Sequence, residues 1–333
     1  MTIKVFIATT CLALNAIASG AQTQKQVKTA FPLSGDGKWD YITAWNQYLF
    51  VSHGTFVHVL DQRSGRELTQ IKGLSGVHGI AIDARNQKGY ISNGKMNNVV
   101  VFDLKKFEVL STIATEQNPD FITFDPFSQT ILAGNGKSNS ISIIDAATMS
   151  IKGTLALDGK PEAIVSDFAG KVYVNLEDKN AIAIIDIQKQ QQEGIIDISA
   201  TGEEPAGLAI DRAHHLAFAG CGNEQLLIVD LDKKKVMDHI KIGAGCDAVA
   251  YNTKTRTIYA SNGKDGTLSV ITGDAALHFS TVQTLKTEPG AKTLALDEAT
   301  DKLYLPVARR SEKKGADGKP VFDPGSFKVL VVE

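Results

Sequence analysis

The chain has 333 residues, 43% of them hydrophobic and 22% charged, the proportions of an ordinary globular protein. A formal net charge of −2 supplies no basic field to draw it onto nucleic acid or an acidic membrane, so neither is expected as a partner.

The first feature along the chain is Lys4 ahead of an apolar run, Val5 to Ile17, which ends in the small-residue stretch "AIASGAQ". This is the layout of a secretory signal peptide, with an apolar run too short to span a bilayer. Residues 1–21 are expected to be removed on export, with Ala18, Gly20 and Ala21 as the candidate cleavage positions and the last two preferred. Cys11 has no Leu or Val three residues before it, which argues against a lipoprotein anchor. No later stretch is apolar for long enough to cross a membrane. The expected location is the periplasm or the cell exterior. That leaves Cys221 and Cys246, in mouth-side loops of adjacent units, in a compartment that permits disulfides. A Cys221–Cys246 bond is the expectation; a thiolate metal site is the alternative.

Beyond residue 39 the sequence repeats. Asp61, Asp103, Asp145, Asp186 and Asp230 each close an apolar run, with Thr272 in register, at steps of 42, 42, 41, 44 and 42 residues. A second column holds Asp83, Asp125, Asp167, Asp211, Asn252 and Asp297. A third holds Asp40, His78, Asp120, Glu162, Ala206, Asp247 and Lys292. Each copy carries short runs rich in Val, Ile, Phe and Tyr, such as "GIAID", "KGYIS", "NVVVFD" and "VLSTIA", and these read as strands. Seven copies of four antiparallel strands predict an all-β, seven-bladed β-propeller occupying residues 22–333 as one domain. The last copy lacks a fourth strand, and the orphan segment Val27 to Leu33 resembles one. It is predicted to complete the last blade and close the ring.

The second strands read "YLFVSH", "KGYISN", "TILAGN", "KVYVNL", "LAFAGC", "TIYASN" and "KLYLPV", with companion phrases "ISIID", "IAIID" and "LLIVD". These resemble degenerate copies of the tyrosine-valine-threonine-asparagine repeat of the YVTN, or YncE-like, family of seven-bladed propellers. The resemblance covers the whole mature chain and implies the fold. It implies little about activity, because one propeller scaffold hosts many functions. A WD40 reading is weaker, since the only Trp-Asp pair, Trp39-Asp40, opens a unit instead of closing a blade.

The phrase "SNGK", or "GNGK", recurs around Lys95, Lys137 and Lys264. A phosphate-binding loop needs a fixed glycine spacing and a following helix; Ile131 breaks the spacing and strands follow, so the phrase reads as a turn. Its position places it on the face where the inner strands begin. Two rings of candidates result. The inner ring is the third column, and the outer ring holds His53, Asn93, Asn135, Cys221 and Asn262. Like-charged carboxylates near the axis need protons, cations or a polar ligand to compensate them. His53, His78, Asp120 and Glu162, with Asp40 beside them, form the candidate set for a divalent cation, although their spacing encodes no metal motif. Trp39 and Tyr41 read either as packing between blades or as a stacking surface for a flat ligand.

The aspartates that close the apolar runs read as turn-openers. His214 and His215 fall in a solvated turn on the opposite face, and His58 and His239 read as surface strand residues. The last unit carries a long charged insertion, residues 309–325, either a lid or partner-docking loop or a disordered segment. No nucleophile–base pair, H-E-x-x-H or Gly-x-Ser-x-Gly motif stands out. The expectation is an exported, monomeric binding propeller that takes a small molecule or a protein at its funnel face. The alternatives are a metal-dependent lactonase or sugar-acid hydrolase using the funnel carboxylates and histidines, and a cell-surface adhesion or assembly module.

Overall fold

The computed structural model describes residues 24–35, 38–315 and 320–333; the expected signal peptide, residues 1–21, lies outside them. Among the described residues the chain forms seven four-stranded antiparallel sheets and one two-stranded hairpin. Each sheet's innermost strand packs on those of its two neighbours, and Trp39–Trp45 of blade 1 meets Ala295–Asp297 of blade 7, so the ring is closed. The predicted seven-bladed propeller is the fold. No helix among the described residues is long and apolar enough to cross a membrane.

Closure takes the predicted form. Val27–Pro32 pairs antiparallel with Lys328–Val332 and supplies the outermost strand of blade 7. The N-terminal and C-terminal strands are thereby hydrogen-bonded in one sheet, and Val27–Pro32 covers the edge that Lys328–Val332 would otherwise expose.

Burial explains the sequence of each strand. The second and third strands of blade 2, Lys88–Asn93 and Asn98–Asp103, are covered on both faces by blades 1 and 3 and read as nearly continuous apolar runs. Outer strands such as Val109–Ala114 keep one face in water and are more polar. Between blades 1 and 2, Phe50, Val59, Ile80, Ile91 and Phe102 fill one core. Each fully buried side chain of this size contributes about 1.5–3 kcal/mol, which makes inter-blade packing the main stabilising term.

The turns follow the aspartate columns. Asp61, Asp103, Asp145, Asp186 and Asp230 accept backbone N–H bonds from the residues that follow them, for example from Lys106 at 2.8 Å and Lys233 at 2.7 Å. The repeated Gly-Lys phrase is also a turn, with one difference from expectation. The left-handed residues are Asn97, Asn139 and Gly266, four positions after each Asn, and not the Asn-Gly pair itself. The glycines serve close approach: a Cβ on Gly94 would sit 2.8 Å from the His78 ring, and one on Gly263 would sit 2.5 Å from Lys292 Cβ. The phrase makes room for the inner ring.

The insertion in blade 7 forms a hairpin, Arg310–Lys314 with Pro320–Phe322. It folds onto blade 1, where the Phe322 ring meets Trp39 edge-on at 4.8 Å.

Candidate functional site

In blades 1 to 6 the first residue of the inner strand is buried between blades and the second faces the channel, whereas in blade 7 the ring residue Lys292 precedes the strand Ala295–Asp297. Trp39 is 8% exposed, packed against Phe322 and Phe327, so its indole belongs to the blade 7–blade 1 joint and not to a ligand surface. Asp40, next along, is half-buried at the mouth, as are His78, Asp120, Glu162, Ala206, Asp247 and Lys292. The inner ring predicted from the repeat is therefore real.

Its members pair around the axis. His78 Nδ1 lies 2.7 Å from Asp40 Oδ2 and 3.5 Å from Asp120 Oδ1. Lys292 Nζ lies 3.3 Å from Asp40 Oδ1 and 2.9 Å from Asp247 Oδ2. Lys160 Nζ lies 2.6 Å from Glu162 Oε1 and also pairs with Glu177. Passing around the mouth, acceptor and donor alternate: Asp40, His78, Asp120, Lys160 with Glu162, a gap at Ala206, Asp247, Lys292.

The charges shift one another. Burial pushes the Asp40 carboxyl up, but the His78 hydrogen bond and Lys292 outweigh it and the net shift is down. Burial raises Asp120, only partly offset by His78. Burial likewise holds Glu162 up at about 7 despite Lys160 beside it. For His78 burial alone would lower the pKa, yet the Asp40 hydrogen bond and the Asp120 charge carry it above the usual value. Lys292 also ends above its ordinary value, because Asp40 and Asp247 overcome its burial.

One residue beyond the ring, two aromatics line the channel. Tyr41 of blade 1 and Phe121 of blade 3 meet edge-to-face at 5.3 Å and 89°. Blade 2 carries Gly79 at this level, where a Cβ would come within 2.9 Å of Ile122. Burial raises the Tyr41 pKa well above the ordinary value, and the charges of Asp120, Asp40, Glu162 and Asp247 add to it, so this hydroxyl senses all four ring acids. Tyr41, Thr43, Phe121, Gly207 and Ala248 line a cavity of about 170 Å³ within the channel.

The outer ring is a correction. Asn93, Asn135, Asn262, His53 and Cys221 are all at most 2% exposed. Asn93 accepts the Ser75 N–H at 2.6 Å, Asn135 bonds Ser140 and Ser142, and the Asn262 amide lies 3.0 Å from the Thr267 and Ser269 hydroxyls. The asparagines brace the turns of their blades, while His53 and Cys221 pack between blades. Only Lys95, Lys137 and Lys264 of that level reach solvent.

The metal set His53, His78, Asp120 and Glu162 does not assemble either. His53 Nδ1 lies 3.0 Å from His58 Nε2, and His58 Nδ1 lies 3.2 Å from Glu67 Oε1, inside blade 1. His58, expected at the surface, is fully buried, because the third strand of a blade is covered on both sides. Glu162 is held by Lys160. The group that does converge is Asp40, His78 and Asp120, with one ligand atom from each lying within 4.8 Å of the others.

Cys221 and Cys246 are buried free thiols in place of the expected disulfide. Cys221 packs in the core between blades 4 and 5, and Cys246 in the core between blades 5 and 6. The blade 5 sheet separates them, with Cys246 Sγ lying against Gly220.

Two sets of site residues escaped sequence reasoning. Ser52 Oγ accepts the Asp40 N–H at 3.0 Å and Ser92 Oγ accepts the Gly79 N–H at 2.7 Å, while Ser261 Oγ donates to the Lys292 carbonyl at 2.5 Å. These serines anchor the ring backbone, and their recurrence before the turn residue was the available signal. Lys160 stands two residues outside the column, and nothing in the repeat marks it.

Comparison with known proteins supports the fold. No known family profile matches the chain, and no curated protein matches its sequence. Among solved structures, hydrazine synthase of Kuenenia stuttgartiensis is similar with a TM-score of 0.71 at 14% identity, covering 86% of this chain and 95% of that one. The structure of U3-55K is similar with a TM-score of 0.77 at 11% identity, covering 91% of this chain and 97% of that one. At such identities the likeness concerns the propeller fold alone.

Proposed function

We propose that the chain is an exported propeller of the YVTN, or YncE-like, kind that holds a small, uncharged, hydroxyl-rich ligand at its channel mouth, as a binding module and not as an enzyme. The alternation of acceptors and donors around the ring carries this reading. A hydroxyl group both donates and accepts, so a polyol or sugar can donate to Asp120 or Asp247 while accepting from Lys160 or Lys292, without leaving a charge unpaired. A ring whose acids are already matched by His78, Lys292 and Lys160 offers little to a strongly charged ligand. Ala206 leaves the one small side chain in the circle, where a ligand has room to seat.

One observation favours a second reading. The convergence of Asp40, His78 and Asp120 supplies mixed N and O ligands to a divalent cation, which would displace the His78 proton. Such an ion is what a hydrolase of the lactonase type would need to activate water. Calorimetric titration of metal-stripped protein with a panel of sugars and sugar lactones, with and without Ca²⁺, Mn²⁺ or Zn²⁺, separates the two. The binding reading expects heat from at least one metal-free sugar and its loss in Asp120→Asn. Binding that needs the ion, or turnover of a lactone, selects the second reading.

A further inference from the structure

We propose that the cleft between blades 4 and 5, on the face opposite the channel mouth, is a second binding site for a small molecule that joins one carboxylate to an apolar body. The cleft encloses about 380 Å³, within the size range of small-ligand pockets, roughly 300–1,000 Å³.

At the cleft, Tyr173 lacks a contact that two of its counterparts in other blades make. In blade 2, Tyr90 donates its hydroxyl to the Ala146 carbonyl of blade 3 at 3.0 Å, and in blade 6 Tyr259 donates to Asp301 of blade 7 at 2.8 Å. Tyr173 is the matching residue of blade 4. It is only 7% exposed, yet its hydroxyl has no hydrogen-bond partner among the described residues and borders the cleft. At the register of Ala146, blade 5 carries Leu231, and Leu231 lines the same cleft. The ring is buried but the hydroxyl opens onto the cleft, where a ligand can take the place of water as its partner.

The remaining groups define the ligand. Arg212 donates Nε–H to the Ser166 carbonyl at 2.9 Å and stacks over Phe168 at 3.7 Å, which fixes its guanidinium plane. Among the described residues no carboxylate forms an ion pair with it, nor with Lys234 at the rim. The acids nearby are already engaged. Glu193 binds Lys171 at 2.6 Å and Lys189 at 3.3 Å, Asp232 binds His215 at 3.0 Å, and Asp167 accepts the N–H groups of Ala169 and Lys171. What remains unspent is donor capacity. Burial, with the nearby acids, pushes Tyr173 up to about 12, so it too stays a donor at neutral pH. A planar guanidinium beside a phenol matches one carboxylate, and Ile184, Ile210 and Leu231 offer the apolar wall for the rest of the molecule.

The test is calorimetric titration of the mature protein with benzoate and isovalerate, using benzamide as the neutral counterpart of benzoate. The expected result is saturable binding of a carboxylate, no heat from benzamide, and affinity at least about tenfold weaker in both Arg212→Gln and Tyr173→Phe, each removing about one charge-assisted or neutral hydrogen bond. Arg212→Lys keeps the charge but not the fork and is expected to weaken binding as well. Tyr173→Phe keeps the packing, so a loss seen there with an unchanged melting temperature cannot be ascribed to misfolding. No binding of either carboxylate at millimolar concentration, equal affinity in the variants, or loss in only one of Arg212→Gln and Tyr173→Phe would overturn the proposal.

Discussion

His78 Nδ1 lies 2.7 Å from Asp40 Oδ2 across the joint between blades 1 and 2, and the pairing displaces the two pKa values in opposite directions, His78 up and Asp40 down. The raised His78 pKa contributes stability that is complete below its ordinary value of 6.5 and is lost as pH rises through the folded value. The lowered Asp40 pKa contributes stability present above 3.8 and lost as pH falls through its folded value. Asp40→Asn is therefore expected to lower the melting temperature at pH 5 and to bring the loss on the alkaline side to lower pH. Thermal unfolding from pH 3 to 9 checks it; a variant curve parallel to the wild type refutes the coupling.

Glu162 gives a second pH signature of known sign. Its carboxyl is held up at about 7 against an ordinary 4.5, so the folded state binds more protons than the unfolded one within that window. Stability should fall as pH rises from 4.5 to 7, by on the order of 1–3 kcal/mol from this group. Glu162→Gln should flatten that part of the curve, as read by urea unfolding at several pH values.

Ring closure makes Phe31 a stability residue. It is 8% exposed in the closing strand and packs on Gly65, where an added Cβ would overlap its ring at 2.1 Å. Phe31→Ala is expected to cost about 3–5 kcal/mol, and deletion of residues 27–33 more, because it also leaves Lys328–Val332 unpaired on one side. Melting temperatures equal to that of the intact chain would contradict closure.

The thiols should behave as two independent buried groups. Burial pushes Cys221 up to about 12 and Cys246 higher still, so neither is a thiolate at neutral pH. Alkylation should fail on folded protein and label both residues after denaturation without reductant. A Cys221–Cys246 peptide in a non-reducing digest would show that the sheet between them opens.

Export is tested at the N-terminus. Sequencing of the protein recovered from the periplasm or medium should begin at Ala21 or Gln22; an intact Met1 in the cytoplasmic fraction would reject it.

The propeller could be read from the sequence because its cause is periodic: each aspartate column fixes a turn, and each turn fixes the height of a residue along the channel. The inner ring followed from the same register. What the register does not fix is the direction of a side chain. Asp40 and Trp39 are neighbours, yet one faces the channel and the other the core between blades, and the pairing slips between Trp39 and Ile42 where the strand begins. Cys221 and Cys246 share a level but lie on opposite faces of one sheet, which chain spacing cannot reveal. His53 belongs to the mouth by its register, yet Phe327 and His58 enclose it. Lys160 pairs with the ring from outside the repeat. The Tyr173 cleft joins residues of blade 4 to Arg212 and Leu231 of blade 5, a juxtaposition visible only once the blades are side by side.

Native mass spectrometry of the protein isolated from the cells that make it tests the central claim most directly. The ring reading predicts a small polar adduct, retained in Arg212→Gln and lost in the Asp120→Asn, Lys292→Gln double variant. The same adduct on that double variant, or the bare mass for every form, would contradict a ligand site at the channel mouth.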